Sequence, residues 1–305
     1  MDLALIAFGL GVGVMVGMTG IGGGSLMTPL LILVFGINPI TAVGTDLAYA
    51  AVTKTVGGYK HWLQRTVDLR LTLWMALGSV PSAIAGVYVL DRLQDRYGSN
   101  FDDLLLTLLA AALLLCGIAT LARALMKRFH ERERAEVPMQ RRHKLGAVAL
   151  GVGVGFVLGV TSAGSGALIA VGLILVFRLV PTRVVGTDVF HAAIVLWAAA
   201  ASHLVAGNVD FGIAGTLLIG SVPGVWVGSH WSVRVSQPIL RGTLAVVLIG
   251  AGMALLAKAG LGIPTVALVP FPLGVIVLLV VTVVRERTGR TQAAVKGGEP
   301  GRHPA

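Results

Sequence analysis

A thirty-residue stretch occurs twice in this chain, and its repetition constrains the fold more than any other feature. The first copy spans 17–46 and the second spans 159–188, so adding 142 to a residue number gives its counterpart without a gap. Fifteen of the thirty positions are identical, and the same offset pairs the sequence Gly-Ser-Val-Pro at 78–81 with that at 220–223. An ungapped match of this length indicates that the chain is built from two copies of one structural unit.

The side-chain composition predicts an all-α, polytopic helical membrane protein. Hydrophobic residues make up 55% of the chain and charged residues only 12%, whereas about 25% charged residues is usual for a soluble domain. Apolar runs of about twenty residues recur from end to end, as they do in membrane-spanning helices. The formal net charge of +10 does not indicate nucleic-acid binding, because the basic residues lie in the short links between the apolar runs.

The apolar runs form two sets of five and one unpaired run. The first set is 3–18, 21–36, 39–59, 69–90 and 101–125, the second set is 145–160, 165–180, 184–206, 209–231 and 238–258, and the unpaired run is 265–284. The chain is therefore divided into a first transmembrane repeat (1–126), a basic cytoplasmic linker (127–144), a second transmembrane repeat (145–260), an extra C-terminal transmembrane helix (261–284) and a basic cytoplasmic tail expected to be disordered (285–305).

The first two apolar runs of each repeat are short, and a glycine cluster separates them. The run at 3–18 has sixteen residues, which as a helix would span about 24 Å, less than the roughly 30 Å of a bilayer core. Each pair of short helices either crosses the membrane twice or forms one re-entrant hairpin, and the sequence leaves both open.

The basic residues predict how the chain lies in the cell membrane. With the linker in the cytoplasm, 21 of the 24 Lys and Arg residues fall on the cytoplasmic side, and such a bias sets the orientation of membrane proteins. The N-terminus is then outside and the C-terminus inside. Each repeat crosses five or three times, both odd numbers, so the second repeat enters from the opposite side. The repeats are therefore predicted to have inverted topology, which is typical of secondary transporters with a midplane substrate site.

The two glycine clusters provide the candidate substrate site. A break in a helix inside the bilayer leaves backbone groups that cost several kcal/mol unless protein, water or ligand satisfies them. The next helix, expected to begin at Ser25 or Ser165, directs its free N–H groups and about half a positive charge into the break, which suits an oxyanion. The alternative is close helix packing through small residues. The candidate substrate-binding residues are Thr19, Gly20, Gly22, Gly23, Gly24, Ser25, Thr161, Ser162, Gly164, Ser165 and Gly166.

Two Gly-Thr-Asp sequences, at 44–46 and 186–188, place a carboxylate inside an apolar run. Near the bilayer centre a carboxylate costs at least about 2.5–3.5 kcal/mol, so it should face the bundle interior with a partner. In one interpretation it accepts a proton and couples transport to the proton gradient. In the other it accepts hydrogen bonds from the amides of the glycine cluster and holds the hairpin. The candidate coupling or supporting residues are Thr45, Asp46, Thr187, Asp188 and His191.

Three further charged residues have predicted roles. Lys54 would either draw anions inward or snorkel to the membrane surface. Asp68 and Asp210 precede apolar runs and are predicted to cap helix N-termini. The chain contains no GxxxxGK[ST] sequence for nucleotide phosphates and has a single cysteine, Cys116. We expect no cofactor, no metal and no catalytic residues.

The paired glycine-rich stretches, each followed by a proline and by Gly-Thr-Asp, resemble the sulfite exporter TauE/SafE family of bacterial and archaeal permeases (TSUP-type). The resemblance covers roughly residues 3–258; the first glycine motif is well kept, and the second is degenerate, as Thr-Ser-Ala-Gly-Ser-Gly. It implies secondary transport of small sulfur-containing or carboxylated anions, such as sulfite, thiosulfate or sulfoacetate.

The predicted function is therefore a secondary transporter, in the exporting direction, of a small sulfur-containing or organic anion such as sulfite or a sulfonate, working by alternating access. Its expected partners are the anion, the lipid bilayer and a coupling ion, for which a proton is the first candidate. No nucleic-acid partner is expected. Two alternatives stay open. A membrane scaffold or assembly subunit would use the glycines only for packing, and a passive anion channel would conduct without dependence on a proton or sodium gradient.

Overall fold

The computed structural model describes residues 3–19, 24–125, 134, 136–232 and 237–261. In this part of the chain there are ten α-helices, one turn of 3-10 helix at Gly98–Asn100, and no β-strand. The helices are α1 (Leu3–Thr19), α2 (Gly24–Val34), α3 (Pro39–Leu63), α4 (Leu69–Tyr97), α5 (Phe101–Leu125), α6 (Arg141–Thr161), α7 (Leu168–Leu175), α8 (Pro181–Val205), α9 (Phe211–Ser232) and α10 (Gln237–Lys258). The predicted extra helix and tail lie outside the described residues.

Six of the described helices, α4, α5, α6, α8, α9 and α10, are long and apolar enough to cross a membrane. This confirms the predicted class, an all-α polytopic membrane protein. The helices that follow the glycine clusters are different: α2 has 11 residues and α7 has 8. At a rise of about 1.5 Å per residue they reach roughly 16 and 12 Å, far less than the roughly 30 Å of a bilayer core. Neither of them crosses the bilayer by itself.

Helices at equivalent positions pack in reciprocal pairs. α1 packs against α9, and α6 packs against α4. Because the offset of 142 makes α6 the counterpart of α1 and α9 the counterpart of α4, these are two copies of one contact. The other two large contacts, α3 with α8 and α5 with α10, each join a helix to its own counterpart. Such reciprocity is expected of two similar units related by a pseudo-two-fold axis.

Glycines on α1 and α6 make these reciprocal contacts close. A β-carbon on Gly13 of α1 would collide with the backbone of Ser221 on α9. A β-carbon on Gly155 of α6, its counterpart, would collide with the backbone of Ser79 on α4. Small residues let membrane helices approach in this way. Gly13 and Gly155 therefore serve packing, unlike the glycines that interrupt a helix.

The helices α4 and α9 both begin at a capping aspartate. Asp68 Oδ1 accepts a hydrogen bond of 3.0 Å from the Leu71 N–H, and Asp210 Oδ1 accepts one of 3.0 Å from the Ile213 N–H. Each carboxylate satisfies an N–H group that the first turn of a helix leaves without a partner. Both predicted N-caps are confirmed.

The last part of the linker between the two units is docked on the helices. The Val137 N–H donates to Asp68 Oδ2 at 3.2 Å, and the Arg134 N–H donates to the Arg178 carbonyl at 2.8 Å. α6 begins at Arg141, four residues before the predicted start of the second repeat. The difference arises because the basic residues at 141–144 form the first turn of the helix rather than the end of the linker.

Candidate functional site

The second glycine cluster separates helix α6 from helix α7, and we call these non-helical residues, 162–167, the second break. Three residues in it have a positive φ: Ser162 (59°), Gly164 (120°) and Gly166 (91°). This left-handed region is closed to a right-handed helix and is least costly for glycine. α7 therefore begins at Leu168 instead of the predicted Ser165, which is a correction: the backbone returns to helical angles only after Gly166.

Of the first glycine cluster, the structure describes only the ends. Gly20, Gly22 and Gly23 lie outside the described residues, as does the side chain of Thr19. α2 begins at Gly24, one residue before the predicted start at Ser25.

The carboxylate of Asp46 joins the two units. Asp46 is fully buried in α3, and its Oδ2 accepts a hydrogen bond of 2.6 Å from Thr28 Oγ1 on α2. The same oxygen accepts a second bond of 2.8 Å from Ser162 Oγ, in the second break. The other carboxylate oxygen, Oδ1, is buried without a hydrogen-bond partner. The aspartate of one unit thus holds the break of the other unit.

Asp188, the counterpart of Asp46, has different partners. Its Oδ1 accepts a hydrogen bond of 3.1 Å from the N–H of Gly166, within its own unit. The side chains that interact with it electrostatically are basic: Lys54, Arg123 and His61. Of the two interpretations of the carboxylates, the hydrogen bond to a glycine-cluster amide is therefore observed at Asp188.

Two basic side chains approach the second break from the first unit. Lys54 on α3 is only 5% exposed, so the interpretation that it snorkels to the surface is wrong. Arg123, in the last turn of α5, is partly buried, and its Nη1 donates to the Gly166 carbonyl at 3.4 Å. Arg123 is absent from the residues that the sequence predicts for the site. The sequence shows that Arg123 is basic but not that it contacts Gly166, because that contact depends on how α5 packs against the second break.

The threonines of the Gly-Thr-Asp sequences bind the backbone of the other unit. Thr45 Oγ1 accepts a hydrogen bond of 3.0 Å from the Asp210 N–H. Thr187 Oγ1 accepts an equivalent bond of 3.0 Å from the Asp68 N–H. Each threonine thereby fixes the residue that caps a helix of the opposite unit. The geometry gives both threonines a supporting role.

The glycines of the same two sequences allow this contact. A β-carbon on Gly44 would collide with the Asn208 carbonyl oxygen, and one on Gly186 would collide with Thr66. In each Gly-Thr-Asp sequence the glycine therefore admits the loop of the other unit, and the threonine binds that loop. This arrangement of glycine and threonine occurs twice, whereas both aspartates bond to the second break.

Three further candidates are His191, Thr161 and Ser165. His191 is buried, and its Nε2 lies 2.8 Å from Ser79 Oγ on α4, so the ring is directed towards α4 rather than Asp188. Thr161 Oγ1 donates to the Val157 carbonyl at 2.6 Å, which occupies its hydroxyl within the end of α6. Ser165 is buried in the second break. Among the residues that the structure describes, no group of three or more His, Cys, Asp or Glu side chains could hold a metal ion.

Comparison with known proteins gives a family match over most of the chain. The sequence model of the family described as "Sulfite exporter TauE/SafE" matches residues 5–255. The chain is 38% identical over 257 residues to "Probable membrane transporter protein YjnA" of Bacillus subtilis (strain 168), which covers 84% of this chain and 100% of the relative. It is 27% identical over 257 residues to "Probable membrane transporter protein YdhB" of the same organism, with the same coverage. No solved structure matches the chain significantly.

Proposed function

Because the chain belongs to the sulfite exporter TauE/SafE family, we propose that this membrane transporter is a secondary exporter of a small sulfur-containing or organic anion. Sulfite and small sulfonates are the first candidates, and the cytoplasmic membrane is the proposed location. The family, the relatives and the six apolar helices indicate a multi-pass membrane transporter rather than an enzyme. The class of anion and alternating access are our proposal, supported by the geometry of the second break.

The observation that carries the proposal is the concentration of basic side chains at the second break. Arg123 of the first unit donates to the Gly166 carbonyl of the break, and the buried Lys54 of the first unit is attracted to Asp188, inside a bundle of membrane helices. Charged groups are costly there and mark the path of a charged substrate. With Asp46 protonated, the two basic groups outnumber the one remaining carboxylate at the break, and the positive potential that results favours a small anion. The N–H groups of Ser162 and Gly166 already donate to Leu158 and Asp188, so the basic side chains supply the attraction.

The contacts between the two units support alternating access. Ser162 of the second break bonds to Asp46 of the first unit, and Thr45 and Thr187 each bond across the units. A site at the meeting of two units can open to either side when the units move relative to each other. We therefore propose that the anion binds between residues 19–25 and 161–166. In this proposal Thr45, Thr187 and His191 are supporting residues that hold the neighbouring helices.

The proposal is tested with purified protein in lipid vesicles. We expect uptake of radiolabelled sulfite or of a small sulfonate to exceed that of protein-free vesicles at least about tenfold. Lys54→Gln should lower the rate by about tenfold, equivalent to about 1.4 kcal/mol, because it removes a buried positive charge beside Asp188. The matched control is Lys60→Gln, an exposed lysine on the same helix, which should transport normally.

Three results would argue against this function. Uptake equal to that of protein-free vesicles across a panel of oxyanions and sulfonates would favour a scaffold. Flux that ignores an imposed proton or sodium gradient would favour a passive channel. Transport that survives tryptophan at both Gly23 and Ser165 would exclude the two glycine clusters as the site.

A further inference from the structure

The two buried aspartates differ in the charge of their surroundings, and the difference concerns how transport is coupled to an ion. Asp188 shares Gly166 with a basic side chain, because its Oδ1 accepts from the Gly166 N–H and Arg123 Nη1 donates to the Gly166 carbonyl. The hydrogen-bond partners of Asp46 in the described part of the chain, Thr28 and Ser162, are neutral hydroxyls. An ionised carboxylate buried without a positive partner is strongly disfavoured. Asp46 therefore has a reason to take up a positive charge that Asp188 lacks.

The hydrogen bonds of Asp46 indicate which atom would take up that charge. Oδ2 already accepts two hydroxyl donors, at 2.6 and 2.8 Å, whereas Oδ1 is buried without a partner. Ser25 Oγ is a second buried oxygen without a partner. Ser25 lies three residues before Thr28 on α2, and residues at this spacing share a helix face. These two oxygens, with the Tyr49 hydroxyl three residues after Asp46, are buried oxygens without a hydrogen-bond partner on α2 and α3.

Among the described residues, the basic side chain bonded to α2 is Lys258 of α10, whose Nζ donates to the Ile32 carbonyl at 3.0 Å and not to Asp46. α2 contains no titratable side chain, and the titratable group that interacts with Asp46 is Tyr49, on its own helix. On α8, Asp188 binds Gly166 and His191 binds Ser79. On α5, Arg123 contacts the second break, and on α9 the basic residue in the last turn is His230.

From this geometry we infer that Asp46 Oδ1 is the binding site of the coupling proton, whereas Asp188 belongs to the anion site. The inference rests on the proposed function. A proton from water on one side forms an O–H bond at Oδ1 and returns to water on the other side as that bond breaks. The hydroxyls of Thr28 and Ser162 both donate to Oδ2, which leaves Oδ1 for the proton, and the experiment below distinguishes a proton from Na⁺.

Protonation would act on the link between the two units. Hydrogen bonds to an ionised carboxylate are roughly twice as strong as those between neutral groups. A proton on Asp46 therefore weakens the bonds to Thr28 and Ser162, which connect α2 to the second break. It also removes a negative charge close to where the anion binds. Both effects favour the loaded, mobile state, so the anion travels together with the proton.

The experiment measures protons and anions in the same lipid vesicles. Wild-type protein with radiolabelled sulfite inside should release protons together with sulfite, as followed by a pH-sensitive dye. In Asp46→Asn the ratio of protons to sulfite should fall at least about tenfold, whatever the rate of sulfite movement. In Asp188→Asn the rate should fall while the ratio stays that of the wild type. An unchanged ratio in Asp46→Asn, or transport driven by a sodium gradient alone, would overturn the inference.

A second measurement needs no transport. Infrared difference spectra of the purified proteins, wild type minus Asp46→Asn, should contain the C=O band of a protonated carboxyl group. Asp46→Glu, which keeps a titratable group, should retain the protonated band. A carboxylate band for Asp46 would refute the inference even if sulfite is transported. Conversely, a protonated band without transport would refute the proposed function and leave the proton site standing.

Discussion

The surroundings of Asp46 and Asp188 are the two most informative regions of this molecule to compare. Both aspartates follow a threonine that bonds to the opposite unit and a glycine that admits the loop of that unit. Yet Asp46 bonds to hydroxyls of both units, whereas Asp188 bonds to an amide of its own unit and faces basic side chains. The repeated residues determine where the carboxylates lie, and the residues that are not repeated determine their electrostatic environment.

Three substitutions between the units account for the difference. Lys54, which faces Asp188, has Leu196 as its counterpart. Thr28, which bonds to Asp46, has Ala170 as its counterpart, and Ser162 corresponds to Gly20. The two units, though similar in sequence, thus surround their aspartates with different side chains. In the proposed mechanism this difference lets one aspartate carry the proton while the other lies at the anion site.

The largest expected effect tests whether the two units make equivalent helix contacts. Gly13→Val and Gly155→Val should each destabilise the protein by about 3 kcal/mol or more, because the new β-carbon meets the backbone of the neighbouring helix. Thermal melting of the detergent-solubilised protein measures the loss. The matched controls are Gly11→Val and Gly153→Val, at positions where a β-carbon meets nothing within 4 Å; they should melt close to the wild type. If Gly155→Val melted like the wild type while Gly13→Val was destabilised, the two helix contacts would not be equivalent.

The next prediction concerns the charge difference between the aspartates. Lys54→Leu, which installs the residue found at position 196, should destabilise the protein by about 2–3 kcal/mol, since it leaves the buried Asp188 carboxylate with less compensation. Adding Asp188→Asn to Lys54→Leu should restore at least about 1 kcal/mol of the lost stability. Adding Asp46→Asn to Lys54→Leu should restore none of it. Equal recovery by the two asparagines, measured by thermal melting, would mean that the aspartates share one environment.

The threonines should behave alike. Thr45→Val and Thr187→Val each leave the N–H of a capping aspartate without its acceptor, which costs about 1–2 kcal/mol. Thr45→Ser and Thr187→Ser keep the hydroxyl and should cost much less. Denaturation of the four variants gives the comparison, and a large difference between the two valine variants would argue against equivalent contacts.

The smallest effect distinguishes the two helix caps. Asp210→Ala should cost about 1 kcal/mol, the usual value of an N-cap. Asp68→Ala should cost about 1 kcal/mol more, because Asp68 is buried and also accepts the bond from Val137 of the linker. Equal melting temperatures of the two variants would show that the linker contact contributes no stability.

Much of the fold is readable from the sequence, because apolar length and cap chemistry are local. The runs predicted at 101–125 and 238–258 correspond closely to α5 and α10, and the caps at Asp68 and Asp210 lie where expected. The start of α7 was missed because the positive φ values of the degenerate second cluster extend the break by three residues. A glycine pattern indicates that a break exists, not where the helix resumes.

The site was less predictable, since its partners come from different helices. Lys54 was open to a snorkelling interpretation because the predicted run ends at 59. α3 continues to Leu63, which leaves Lys54 well inside the helix. Thr28 and Arg123 lack repeated counterparts, so a search for repeated residues passes over them. Contacts between distant helices decide which side chains meet, and one sequence carries no direct signal of such contacts.

The most direct test of the account asks whether the two units have opposite orientations in the membrane. Single cysteines are placed at Gln64 and Ala206, the equivalent exposed residues at the ends of α3 and α8, in a Cys116→Ala background. The account predicts that a membrane-impermeant maleimide labels Ala206→Cys in intact cells and labels Gln64→Cys only in inside-out vesicles. Labelling of both cysteines from the same side would contradict it, because two parallel units could not bring their breaks together at one midplane site.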